Sequence, residues 1–293
     1  MKRHLTICLA ATECEPFLRV GGLADAVAGL AEGLTEGGDR VLIVLPYCGS
    51  TKVSPPSLRD TGIEFEIGVG GEADKGRFLE AGKLSGASVF LVENERYYGS
   101  RQGIYGERGS DYPDNLRRFV YYSEAVKLLL KSRGRGPDII HCHNWQTGFI
   151  SAYINFRRGE SDIFSRTACV FTVHNLAFQG LFPGEMMPQT NLPWGIFNPE
   201  GIEFYGQINP TKAGIVCSHA ITLTGREDRL KVFDEEGGFG LEGVLLKRRD
   251  DLFFIDCGFP GSDLSPSERW ALWKKAAPDY RRVYLHAIKN IRS

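Results

Sequence analysis

Three short segments hold side chains with chemical potential. Residues 170–180 read VFTVHNLAFQG, residues 141–148 read HCHNWQTG, and residues 19–34 read RVGGLADAVAGLAEGL. Each sets polar groups at or just beyond an apolar run with strand character, and α/β proteins bind ligands outside the carboxyl ends of their strands. A histidine at such an edge, here His174, can polarise, donate to or position a hydroxyl; its plainer use is a hydrogen bond to a neighbouring loop. In Arg19-Val20-Gly21-Gly22-Leu23 the glycines would let backbone N–H groups approach an anion. The following helix would add its unpaired donors, and Arg19 a bidentate phosphate contact. Taken alone, the same segment reads as a glycine turn beside a surface arginine.

His141 and His143 would point the same way if one strand runs through both. That makes them candidate metal ligands, but two histidines are too few for a closed zinc site and no third ligand stands nearby, so no metal is expected. Trp145 would stack on a sugar face or enter the core. Tyr97, Tyr98, Tyr105 and Tyr112, with Asn115, form a stretch that suits glycan binding and loop packing equally. The chain has no Gly-x-Ser-x-Gly, no Walker loop and no Ser-His-Asp ordering.

These groups need elements to hold them. Residues 4–10 read as a buried strand and 41–46 as a second. Between them Leu23, Val27, Leu30 and Leu34 fall on one face of a helix that stops at Gly37-Gly38. Short β-type runs follow at 63–69 and 87–93. Residues 112–130 run at helical spacing, 137–143 read as a strand ending in polar groups, and 145–157 as the next helix. A further strand is expected at 168–175, helix then strand at 209–224, and a loop, short helix and strand through 237–258. Residues 265–292 read as two helices anchored by Trp270, Trp273, Tyr280, Tyr284 and Ile288. The expected fold is α/β, a Rossmann-like parallel sheet with helices on both faces.

Composition narrows the function classes. The chain has 293 residues and is 42% hydrophobic, enough for a sizeable core. Lys and Arg total 35 against 36 for Asp and Glu, a net charge of −1 that argues against nucleic-acid and membrane-surface partners. Seven scattered cysteines, an odd number without a CxxC pair, point to a reduced, cytoplasmic protein. Residues 1–14 mimic a secretion signal, but their apolar run is short and a first strand explains them. No run approaches the ~18 apolar residues of a membrane span.

Taken together the segments resemble the N-terminal catalytic domain of bacterial glycogen synthases and plant-type starch synthases, family 5 glycosyltransferases. The family's Lys-x-Gly-Gly-Leu loop followed by Asp is similar to Arg19 through Asp25, with Glu13 and Pro16 ahead of it. Its Tyr-Gly…Tyr-x-Asp-Asn…Arg-Phe stretch resembles Tyr105-Gly106, Tyr112-Pro113-Asp114-Asn115 and Arg118-Phe119. Its His-x-His-Asp-Trp block appears as residues 141–145, and its Phe-Thr-x-His-Asn-Leu block as residues 171–176. EFYGQINPTKAGIV at 203–216 and FGLEGVL at 239–245 also look like the family, so the resemblance spans about residues 3–245.

The resemblance implies the N-terminal half of a GT-B glycosyltransferase, in which two Rossmann-like domains face a cleft. It implies transfer of glucose from ADP-glucose to the non-reducing end of an α-1,4-glucan, with retention and without a metal or other cofactor. By the same resemblance Arg19, Gly21, Gly22 and Asp25 lie at the donor diphosphate. His174 contacts the transferred glucose, and Glu13, Tyr105, Asn144 and Asn175 line the acceptor side.

Three departures qualify this. Lys becomes Arg19, which keeps charge but changes geometry. The Asp of His-x-His-Asp-Trp becomes Asn144, a neutral amide. The family's second domain is missing: residues 1–250 read as the N-terminal domain and 251–293 as a divergent helical tail, with Ile255-Asp256-Cys257-Gly258-Phe259 where the crossover to the second domain is expected. That tail faintly resembles the family's last helix, which packs back on the first domain. The lost domain carries most of the donor pocket, and electrostatic stabilisation is usually the largest catalytic term. Autonomous activity is therefore doubtful. The alternatives are a synthase completed by a second chain and a non-catalytic glucan-binding or regulatory remnant.

Overall fold

The apolar runs become neighbouring strands because each is buried on both faces, the condition under which parallel sheets form. The computed structural model describes residues 3–52, 58–156, 163–224, 231–257 and 264–291. Nine strands make the main sheet: β1 (Thr6–Ala10), β2 (Arg40–Pro46), β3 (Arg59–Val69), β4 (Glu72–Leu84), β5 (Ala87–Glu93), β6 (Ile139–His143), β7 (Ala168–Val173), β8 (Ala220–Thr224) and β9 (Leu252–Ile255). Their spatial order is β9-β8-β7-β6-β1-β2-β5-β4-β3. Pairing is parallel from β9 through β5, and antiparallel at β5/β4 and β4/β3.

Alternation along β1 sets the two cores. Ile7 and Leu9 face α1 (Leu23–Glu36), while Cys8 and Ala10 face α2 (Asn115–Ser132), α3 (Gly148–Phe156) and α4 (Pro210–Cys217). The buried Tyr122 of α2 donates to the carbonyls of Ala11 at 2.8 Å and Val44 at 2.6 Å, tying the helix to the carboxyl ends of two strands.

The sheet is mainly parallel, as expected, with an antiparallel edge of β3 and β4; the charged residues of β4, EADKGRFLEAGKL, mostly exposed or half-buried, hide the alternation that reveals strands. One expectation needs correction. The tail is not two helices but one, α6 (Pro266–Asn290), which follows the short α5 (Glu242–Lys247) and β9. A reciprocal capping box starts α6: Ser265 N–H donates to Glu268 Oε2 at 2.7 Å, and Glu268 N–H to Ser265 Oγ at 3.3 Å. Pro278 lies inside it without breaking it.

α6 packs against α1 at Gly29 and Gly33, one turn apart. A Cβ on Gly29 would lie 2.4 Å from the Trp270 carbonyl, and one on Gly33 2.6 Å from the Lys274 carbonyl. Pro278 has no N–H to bond that Lys274 carbonyl in the usual helical way, so the oxygen rests on the only residue type that leaves it room. The boundary expected near residue 250 falls just before β9, which extends the sheet beside β8, and Gly258 and Phe259 lie outside the described residues.

Candidate functional site

β1 leads through α1 to β2 on one side, and the chain later returns to β6 on the other side of β1. That reversal of direction leaves a crevice outside the carboxyl ends of β1 and β6. A cleft of about 630 Å³ opens there. The β1 exit brings Glu13, Val20, Gly21, Gly22 and Leu23; β6 brings Asn144, Trp145 and Gln146; β7 brings His174, Asn175 and Phe178. Tyr105 and Asp111 enter from the loop before α2, Thr224 from the end of β8, and Cys257 and Trp273 from the tail. Among the described residues no lysine or arginine lines the cleft.

Gly21 and Gly22 line the cleft, yet part of their loop is already occupied. Glu13 Oε2 accepts from the N–H groups of Val20 and Gly21, both at 2.6 Å. Its Oε1 accepts from the Tyr105 hydroxyl at 2.6 Å, and Thr12 Oγ1 lies 2.7 Å from the same hydroxyl. Burial, with the Glu13 carboxylate beside it, holds the Tyr105 phenol well above its ordinary pKa. Glu13 and Tyr105 therefore act as a strut between loop and cleft wall. The N-terminus of α1 at Gly22 has no side-chain cap, which leaves its first donors available beside the cleft.

Arg19 and Asp25 do not line the cleft. Arg19 grips the buried Asp25 with both guanidinium nitrogens, at 2.7 and 2.8 Å, and reaches Glu15 at 3.4 Å. Asp25 Oδ2 also accepts from Arg269 Nε of α6 at 2.9 Å. The hydrogen bond to Asp25 and its charge push the Arg19 pKa further up.

His141 and His143 do share a face of β6, under α6, with ring centroids 4.0 Å apart. His141 bridges the Tyr284 hydroxyl at 2.8 Å and Thr172 Oγ1 at 2.5 Å. His143 Nδ1 meets His174 Nε2 at 3.1 Å, and His174 Nδ1 lies 3.5 Å from Thr224 Oγ1. Burial holds His141 and His143 well below their ordinary pKa and His174 at about 4. All three rings are neutral near pH 7 and both His174 ring nitrogens have protein partners, so His174 can present its ring to a substrate but is no general acid there. Among the described residues no group of three or more His, Cys, Asp or Glu is arranged to hold a metal ion.

Asn144 carries backbone strain, with φ 60° and ψ 175°. Non-glycine residues held in such conformations cluster at functional sites. Its Oδ1 accepts from the His174 N–H at 2.9 Å, which leaves the amide NH₂ for a ligand. Asn175 is exposed at the rim, its Oδ1 accepting from the Ala177 N–H at 2.9 Å. Trp145 divides its roles: it meets Phe119 and Phe182 edge-on while one side faces the cleft. Gly180, at φ +70°, lets the backbone pass the indole, since a Cβ there would lie 2.4 Å from the ring.

Most of the tyrosine-rich stretch is packing. Tyr97 and Tyr98 are fully buried around Arg118, which donates to the carbonyls of Tyr97 at 2.9 Å and Ile104 at 2.8 Å. Only Tyr105 of that set lines the cleft. The sequence reading missed Asp111, Gln146, Thr224 and Cys257. Thr224 ends a strand legible in the sequence; Trp273, expected as a core anchor, also lines the cleft.

The sequence matches the family described as starch synthase catalytic domain over residues 6–247. Glycogen synthase 2 of Geobacter sulfurreducens is 38% identical, aligning with 90% of this chain and 54% of that protein. The glycogen synthase of a Hydrogenobaculum species is 38% identical over 97% of this chain and 58% of its own length. The catalytic domain of Starch Synthase IV from Arabidopsis thaliana, solved bound to ADP and acarbose, superposes with a TM-score of 0.78 at 29% identity, covering 86% of this chain and 51% of that one. The chain spans about half the length of the curated relatives it matches. No helix among the described residues is long and apolar enough to cross a membrane.

Proposed function

The chain belongs to the starch synthase catalytic domain family, and from that premise we propose that it is the glucan-facing half of a glucosyltransferase that moves glucose from ADP-glucose to the non-reducing end of an α-1,4-glucan with retention. The observation that carries this is the convergence of Gly21, Gly22, Asn144, His174 and Asn175 on one cleft from three strand exits. Its wall suits a neutral sugar: largely apolar surface with a few fixed polar groups, as small-molecule sites have. In this reading His174 positions the transferred glucose, and Glu13, Tyr105, Asn144 and Asn175 bound the acceptor side. The uncapped N-terminus of α1 at Gly22 faces the diphosphate.

A specific observation favours completion from outside these residues. Among the described residues the cleft lining includes no cation, and Arg19 is held by Asp25. The leaving diphosphate needs opposed positive charge. The donor half is therefore supplied by a second domain or a second chain, and residues 1–250 with the tail at 251–293 form the acceptor-side body. In this reading it acts in the cytoplasm, a reducing compartment that suits its free cysteines.

The test is transfer from labelled ADP-glucose to glycogen by the purified chain, beside a His174→Ala control. Transfer that the substitution abolishes means this chain completes its own donor pocket. No transfer by the chain, together with glycogen binding that Asn144→Ala weakens, means a glucan-facing half. Neither transfer nor binding defeats the reading.

A further inference from the structure

The family match ends at residue 247, yet the cleft wall does not. Trp273, on the second turn of α6, lines the cleft with its ring centroid 5.4 Å from that of His174 and inclined at 62°. It is 5% exposed, so what remains uncovered is the part that meets the cleft.

Its placement is fixed on three sides. A Cβ on Gly29 would come within 2.8 Å of the Trp273 Cβ, so α1 offers it a socket only a glycine leaves open. One turn earlier Arg269 is tied to the buried Asp25 at 2.9 Å. Beside it Lys274 bridges Glu32 at 2.8 Å and Glu36 at 2.6 Å. An indole held this way loses little freedom when a ligand arrives, which lowers the cost of binding.

Resting on the function proposed above, we infer that α6 is part of the carbohydrate site: Trp273 forms, with His174, the apolar wall on which a hexopyranose ring packs. The chemistry fits. A pyranose has a face of C–H groups that matches an indole and a neutral imidazole, while its hydroxyls need neutral donors and acceptors such as Asn144 and Asn175. The tail is then a component of the binding site as well as of the core.

The ring belongs either to the glucan or to the glucosyl group of the nucleotide sugar, and titrating the full chain with maltoheptaose and, separately, with ADP-glucose distinguishes them. Tryptophan emission and calorimetric Kd are read for the native chain, Trp273→Phe, Trp273→Leu and, as a control at an exposed tryptophan outside the cleft lining, Trp194→Phe. The expected result is an emission change that Trp194→Phe keeps and Trp273→Phe largely loses, with Kd about tenfold weaker in Trp273→Leu. A response to maltoheptaose assigns the wall to the acceptor; a response to ADP-glucose alone assigns it to the donor sugar. If Trp273→Leu fails to melt cooperatively, the isosteric ring of Trp273→Phe decides through the emission change. Native binding with unchanged Kd and emission in the Trp273 variants overturns this inference and leaves the proposed function standing. Native binding of neither ligand overturns both.

Discussion

Glu13 and Gly21 are joined by a 2.6 Å hydrogen bond in which the side-chain carboxylate accepts from the backbone amide of the glycine loop. The same oxygen takes the Val20 amide at 2.6 Å. The loop thus already holds an anion, and that anion belongs to the protein. Glu13→Ala should free both amides. Folding stability is expected to fall by about 2 kcal/mol, since the charged hydrogen bonds of the buried Glu13 carboxylate to exposed or half-buried partners are lost. Inorganic pyrophosphate should bind the variant more tightly than the native chain; calorimetric titration of both checks this, and equal affinity would show that the loop is no anion site.

Asp25 is shared by guanidinium groups from both ends of the chain, Arg19 and Arg269. Replacing it with Asn leaves two cations facing a neutral amide. Because both arginines keep some contact with solvent, the expected loss is on the order of 2 kcal/mol, below that of a fully buried pair. Hydrogen exchange should speed up in the first turns of α6 and leave the Tyr280–Tyr284 region protected. Uniform deprotection along α6 would show that Asp25 does not act locally.

The α1–α6 contact depends on the absence of a side chain at Gly33, where a Cβ would lie 2.7 Å from the Ala277 Cβ. Gly33→Leu forces the helices apart and should cost about 3 kcal/mol, as overpacking does. Limited proteolysis should then cut within residues 264–291 before it cuts the sheet, whereas the native chain resists there.

The buried His141 and His143 and the half-buried His174 make stability depend on pH, and the sign follows from their lowered pKa values. His174 titrates near 6.5 when unfolded and at about 4 when folded. Between these values the unfolded chain binds a proton that the fold rejects. Stability is therefore full above about pH 6.5, falls as pH drops towards 4, and loses nothing further to His174 below that. His174 alone accounts for on the order of 3 kcal/mol, and His141 and His143 act in the same direction. Urea midpoints from about pH 8 down to about pH 5 check this, and His174→Gln should flatten the slope by roughly one proton.

Residues 4–10, 41–46, 137–143 and 168–175 were legible as strands because parallel strands buried on both faces are continuously apolar. The position of His174 and of the glycine loop at strand ends followed from the same runs. β4 was not legible, since charged residues on its open face break the pattern. The pairing of Glu13 with Tyr105, 92 residues apart, left no local trace.

The amino-acid sequence by itself determined the α/β class, the order of the elements and which residues stand at strand ends, because hydrophobic periodicity and glycine placement are local properties that the backbone reads directly. Only the tertiary structure decided what those residues face. It turned Arg19 from the cleft to Asp25, put Glu13 on the loop amides, and brought Trp273 beside His174, 99 positions earlier. Each of these depends on packing and charge pairing between distant segments, and such contacts exist only after the sheet has drawn the segments together.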